Sequence, residues 1–202
     1  MTAALRNRLC LAAVLAIIFL PCSLPFGAFA SDQAGTFAIA AGADDAKERA
    51  SDSQMTLDGT TLRPGSGYTT GLHFAGVAIP QGATVTSAKI RMFVVSDSNR
   101  LLAVTYKAEA ADSSAAFGTT AGDLNNRAKT TASVDDAPAA WTDGAWAESP
   151  ELKTLVQEVV SRPGWASGGA LTVFLLDNAS SSYRTIASQE NAGNTPAQLV
   201  VT

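Results

Sequence analysis

SPELKTLVQEVVSRPGWASGGALTVFLL, residues 149–176, decides the fold. It reads as one amphipathic helix followed by one strand, inside a chain that otherwise reads as strands and turns. Ser149 is placed to cap the helix and Pro150 to take its first position, where the missing N–H costs nothing. Leu152, Leu155, Val156, Val159 and Val160 fall at i, i+3, i+4, i+7 and i+8, which is a single apolar stripe. Arg162-Pro163-Gly164 then stops the helix. A helix over about 149–161 is marginal alone in water, so its stripe must dock on apolar surface. The end or face of a β-sandwich supplies that surface.

Working outward, the flanks read as short strands separated by turns. Thr36–Ala40 alternates through Phe37 and Ile39. Met55–Leu62 follows a charged stretch, Ala43–Asp52, that reads as a loop. Thr70–Phe74 is a strand, and Thr84–Val95 is a longer one with Val85, Ala88, Ile90, Met92 and Val94 mostly on one parity. Leu101–Ala110 places Leu102, Val104, Tyr106 and Ala108 on one face. Lys129–Val134, Ala170–Leu176, Tyr183–Ser188 and Ala197–Val201 complete the set. Arg63–Gly67 and Ile79–Ala83 are turn clusters. About nine strands at this spacing predict an all-β, antiparallel, jelly-roll-like sandwich with one short helix. Neither a repeat nor an interdomain linker is visible, so residues 31–202 are expected to form one domain.

The N-terminus reads as a secretory signal over residues 1–30. Arg6 and Arg8 precede an apolar run, Leu9–Phe19, that is too short to span a bilayer comfortably. Ala28-Phe29-Ala30 is a small-residue cleavage site, which puts the mature start at Ser31. Both cysteines, Cys10 and Cys22, lie in the leader, so the mature chain is expected to carry no disulfide and to rely on its core. The expected location is outside the cell, on its surface or in the periplasm, without membrane insertion once the leader is gone. The formal net charge is −4 and grows more acidic when Arg6 and Arg8 are removed. No basic stripe is present for nucleic acid.

Three stretches resemble secreted β-sandwich domains of the DNRLRE type, which are related to the jelly rolls of carbohydrate-binding modules. They are GLHFAGVAIPQGATVTSAKIRMFV (71–94), SPELKTLVQEVVSRPGWASGGALTVFL (149–175) and TIASQENAGNTPAQLVVT (185–202). They are similar to that family's turn before a long strand, its helix followed by R-P-G-W, and its closing strand. An acidic stretch holding Asp44, Asp45 and Glu48 is also similar. The resemblance implies a secreted sandwich module. Family members occur in large secreted or surface proteins, some of them polysaccharide-active enzymes, which points to polysaccharide as partner.

The candidate site residues follow. Trp141, Asp143 and Trp146, in the turn WTDGAW, together with Tyr183, are candidates for a sugar platform, because flat apolar sugar faces stack on exposed rings. Core packing is the competing role, and it is the expected one for Trp165, directly after the helix stop. Asp44, Asp45, Glu48 and Glu190 read either as a solvated acidic loop or as oxygen ligands for a structural Ca²⁺. The resemblance favours calcium, since related jelly rolls often carry one. His73 is the only histidine and lies in an apparent strand. No nucleophile elbow, zinc motif or phosphate loop is present. The expectation is therefore a non-enzymatic module that binds an extracellular or cell-surface polysaccharide. The alternative is a structural or adhesive subunit that self-associates or joins a surface protein, with Thr36–Ala40 available for strand addition.

Overall fold

The computed structural model describes residues 34–202. The expected leader, its expected cleavage site and both cysteines lie outside the described residues. Twelve strands form antiparallel sheets: β1 (Gly35–Ala38), β2 (Asp45–Arg49), β3 (Gln54–Thr56), β4 (Thr61–Leu62), β5 (Tyr68–Val77), β6 (Ala88–Phe93), β7 (Val104–Ala108), β8 (Val134–Asp136), β9 (Trp146–Glu148), β10 (Gly169–Asp177), β11 (Ile186–Ala187) and β12 (Gln198–Val201). Two helices join them, α1 (Asp123–Asn126) and α2 (Lys153–Val160), with a 3-10 turn at Gly42–Asp44. One sheet has the order β1-β12-β6-β9, a second β3-β2-β5-β10-β7-β8, and β11 pairs with β4.

The alternation read from sequence becomes the core. Ala88, Ile90 and Met92 of β6 and Val94 just after it are at most 1% exposed, as are Leu102, Val104, Tyr106 and Ala108 along β7 and the residues before it. They meet Leu72 and Phe74 of β5, Leu171, Val173 and Leu175 of β10, and Leu199 and Val201 of β12 in one apolar cluster. The two larger sheets therefore make a sandwich, as expected. Strand β10 is buried on both sides: the opposite parity, at Phe174, joins Ala46, Phe117 and Leu124 in a second cluster.

Helix α2 docks through the stripe that its sequence carries. Leu152, Leu155, Val156, Val159 and Val160 are all buried in the main core. Five such side chains contribute on the order of 10 kcal/mol of apolar burial. The polar side ties down neighbouring loops. Gln157 accepts from the Val85 amide and donates to the Ala83 carbonyl. The Glu158 carboxylate accepts from the amides of Thr131 and Ala132.

Four expectations about elements are corrected. The helix starts at Lys153 rather than Ser149, because the Ser149 hydroxyl accepts from the Ile90 amide of β6 instead of capping α2. Residues 43–52 are not a loop but hold β2, an inner strand between β3 and β5. Its acids take hydrogen bonds from residues far away in sequence, Glu48 from Leu124 and Asn125 and Asp45 from Gln189, so no apolar alternation marks it. The Met55–Leu62 stretch is broken into β3 and β4, and of Thr84–Val95 only Ala88–Phe93 pairs as a strand.

Candidate functional site

Alternation along β2 decides what its acids can do. Residues 45 and 48 differ by an odd number, so their side chains leave opposite faces of the sheet. Glu48 goes to the outer face with Ala46. One of its oxygens accepts from the Leu124 and Asn125 amides at 2.9 Å each, and the other from Asn125 Nδ2. It thereby satisfies free N–H groups of the first turn of α1. Asp44 accepts from the Ala41 amide and faces His73 Nδ1 at 2.7 Å. The other nitrogen of His73 faces the Ser114 carbonyl at 3.3 Å, so a carbonyl stands where a hydroxyl nucleophile would have to be.

Asp45 points the other way, on the face of its cross-strand neighbour Leu72. It is fully buried. Oδ2 accepts from the Gln189 amide at 2.8 Å, while Oδ1 has no partner. Burial, with like charge from Glu190 and Asp44 added, pushes its carboxyl up to about 7 against the pull of the Gln189 bond. Oε2 of Glu190 is likewise withdrawn from water without a partner. Of the four acids expected to share a cation, the fold brings Asp45 and Glu190 together. It sends Asp44 and Glu48 to other partners. Among the described residues no group of three or more His, Cys, Asp or Glu side chains is arranged to hold a metal ion.

The tryptophan turn gives a different surface. Trp141, Thr142, Trp146, Glu148 and Pro138 line a shallow groove of about 280 Å³ beside β9, an outer strand of its sheet. Trp141 is 7% exposed, with most of its ring in the core. The Arg184 guanidinium lies over that ring, 4.9 Å from its centroid. Trp146 is half-buried, edge-on to Phe93 at 5.4 Å, with Arg91 over its ring at 4.8 Å. Arg91 also faces Glu148 at 3.7 Å. Asp143 is exposed in the turn between the tryptophans, where its amide donates to Asp97 at 2.7 Å. Its side chain does not line the groove.

Tyr183 stands apart from the groove. It is 39% exposed, edge-on to Tyr68 and under the Arg63 guanidinium. Trp165 is in the core, and its indole N–H donates to the Ile79 carbonyl at 2.9 Å. Sequence reasoning missed Arg184. This arginine is only 2% exposed and donates to the carbonyls of Arg100, Pro138 and Ala139, so it holds the loop that forms one wall of the groove. Nothing local in Ser182-Tyr183-Arg184 signals that role, because each carbonyl the guanidinium bonds lies at least 45 residues away.

No protein-family model matches this chain, and no curated protein is found similar to it. Among the described residues no helix is long and apolar enough to cross a membrane.

Proposed function

We propose that this chain is a secreted, non-enzymatic module that binds an extracellular or cell-surface polysaccharide in the groove beside β9. The observation that carries the reading is the convergence of Trp141 and Trp146 on one open groove with polar groups at its margin. Trp146 offers the partly exposed ring on which a sugar face stacks. Thr142 and Glu148 supply hydroxyl and carboxylate partners for sugar hydroxyls. Trp141 acts as the buried floor, fixed by Arg184. The resemblance of its motifs to DNRLRE-type domains also supports the reading, as does the leader-like N-terminus.

Glycan-array screening followed by titration calorimetry tests it. Trp146→Ala is expected to weaken binding at least tenfold, about 1.4 kcal/mol or more, as loss of an aromatic anchor does. Absence of binding across the array, or unchanged affinity in Trp146→Ala, refutes the reading. The structural-subunit alternative has one observation in its favour: among the described residues β1 pairs only with β12, which leaves it at the edge of its sheet. A strict monomer in light scattering over a wide concentration range counts against it.

A further inference from the structure

The geometry points to an acidic polysaccharide, held along a track that runs from the tryptophan groove to Arg63 and Tyr183. It rests on the reading of the groove as a polysaccharide site and names the class of polymer that lies there. One loop joins the two places. Ser98 exchanges both backbone hydrogen bonds with Trp141, at 2.9 and 3.0 Å, so the loop starts at the groove. Further on, the Arg100 carbonyl accepts from the Arg184 guanidinium and the Leu101 carbonyl from the Ser181 amide, at 3.0 and 3.1 Å. The loop therefore ends beside the segment that carries Tyr183. Leu101 and Tyr183 are the large hydrophobic side chains left exposed among the described residues, at 54% and 39%.

The far end of the track is a braced patch of aromatic rings and positive charge. Tyr68 meets Tyr183 edge-on at 6.3 Å, and the Arg63 guanidinium lies 4.8 Å from the Tyr183 ring centroid. Between Arg63 and Tyr68 the turn holds Gly65, Ser66 and Gly67 all at positive φ. Such backbone persists only where its surroundings over-determine it. Asp177 does so, since its carboxylate accepts from the amides of Ser66, Gly67 and Ser180. Among the described residues Arg49, Arg91, Arg127 and Arg162 each face a carboxylate, and Arg184 bonds three carbonyls. The guanidinium groups of Arg63 and Arg100 have no such partner there, and Nε of Arg63 is buried without an acceptor. A planar fork beside an aromatic ring suits a sugar that carries a carboxylate or sulfate: the ring takes an apolar face and the fork takes the anion. In the groove itself Glu148 is held by Lys89 at 3.4 Å and Arg91 at 3.7 Å, so it adds no excess of negative charge. Asp97 and Asp143, exposed at the groove end of the loop, oppose an anion there, which leaves the Arg63 end as the anionic contact.

Titration calorimetry in low salt tests this with two matched pairs: polygalacturonate against its methyl ester, and chondroitin sulfate against its desulfated form. The charged member of at least one pair is expected to bind about tenfold more tightly, and the preference is expected to fade toward about 0.5 M salt as the charges are screened. Arg63→Gln combined with Arg100→Gln is expected to remove the preference and leave affinity for the neutral form unchanged. Trp146→Ala is expected to weaken both forms alike, which keeps groove and patch apart. Equal affinity for charged and neutral forms, or a preference that survives in the double variant, overturns the inference and leaves the groove reading standing. Poly-L-glutamate binding as tightly as the charged glycan also overturns it, since the patch would then serve an acidic protein. No binding to any of these polymers overturns it as well, and the glycan array then decides the groove reading alone.

Discussion

Replacing Asp45 by asparagine isolates the cost of burying its charge. The carboxyl ordinarily titrates at 3.8 and is pushed up to about 7 here, chiefly by burial. The folded state therefore holds a proton between these values that the unfolded chain has already released. Stability contributed by the protonated form is present at low pH, falls as pH rises from about 4 to about 7, and is flat above. At roughly 1.4 kcal/mol per pH unit, the window is worth up to ~4 kcal/mol. Asparagine cannot ionise. Its carbonyl oxygen still accepts from the Gln189 amide, and its NH₂ places a donor where Asp45 leaves an oxygen unpaired. Urea unfolding in EDTA at pH 5 and pH 8 reads the difference. The stability gap between the two proteins is expected to shift by about 2–3 kcal/mol in favour of Asp45→Asn from pH 5 to pH 8. Parallel pH profiles would refute the reasoning, because the carboxyl would then pay no penalty for its burial.

Two further variants test the packing around the sandwich. Leu155→Ala removes a fully buried side chain from the face of α2. It is expected to cost about 2–5 kcal/mol in urea unfolding. Arg184→Lys keeps the charge but replaces the planar fork that spans the Arg100, Pro138 and Ala139 carbonyls with a compact ammonium, which cannot lie flat on Trp141. It is expected to cost about 2–4 kcal/mol, judged from lost charge-assisted bonds, and to shift the tryptophan fluorescence as the wall of the groove loosens.

The parts of the fold legible in the sequence are those whose burial follows from local alternation. Strands β6, β7 and β10 and the stripe of α2 carry their own apolar pattern, and each is buried on the expected residues. Strand β2 was illegible because its sequence, DAKER, carries polar groups satisfied by residues 124, 125 and 189. Ser149 looked like a cap because its spacing fits one, yet its hydroxyl serves β6. The pairing of Trp141 with Trp146 was legible, since a tight turn brings the two onto one groove. Tyr183 was not placed correctly with them, because Arg63 and Tyr68 draw it to another surface. Asp44, Asp45 and Glu48 read as one group in a loop, with Glu190 in the closing segment beside it. Once two of them belong to a strand, the odd spacing of Asp45 and Glu48 divides them between its faces.

The first and last strands of the described chain are neighbours: β12 lies between β1 and β6, with Leu199 opposite both Phe37 and Ile90. During synthesis β1 has no partner within its sheet until residues 198–201 have emerged from the ribosome. This layer of the sandwich can close only after translation of those residues, and its closure joins segments at maximal sequence separation, a feature of slow folding. Until then the apolar side of β6 lacks its main neighbour. A C-terminus clipped before β12 would leave β1 with no strand beside it and β6 with β9 alone.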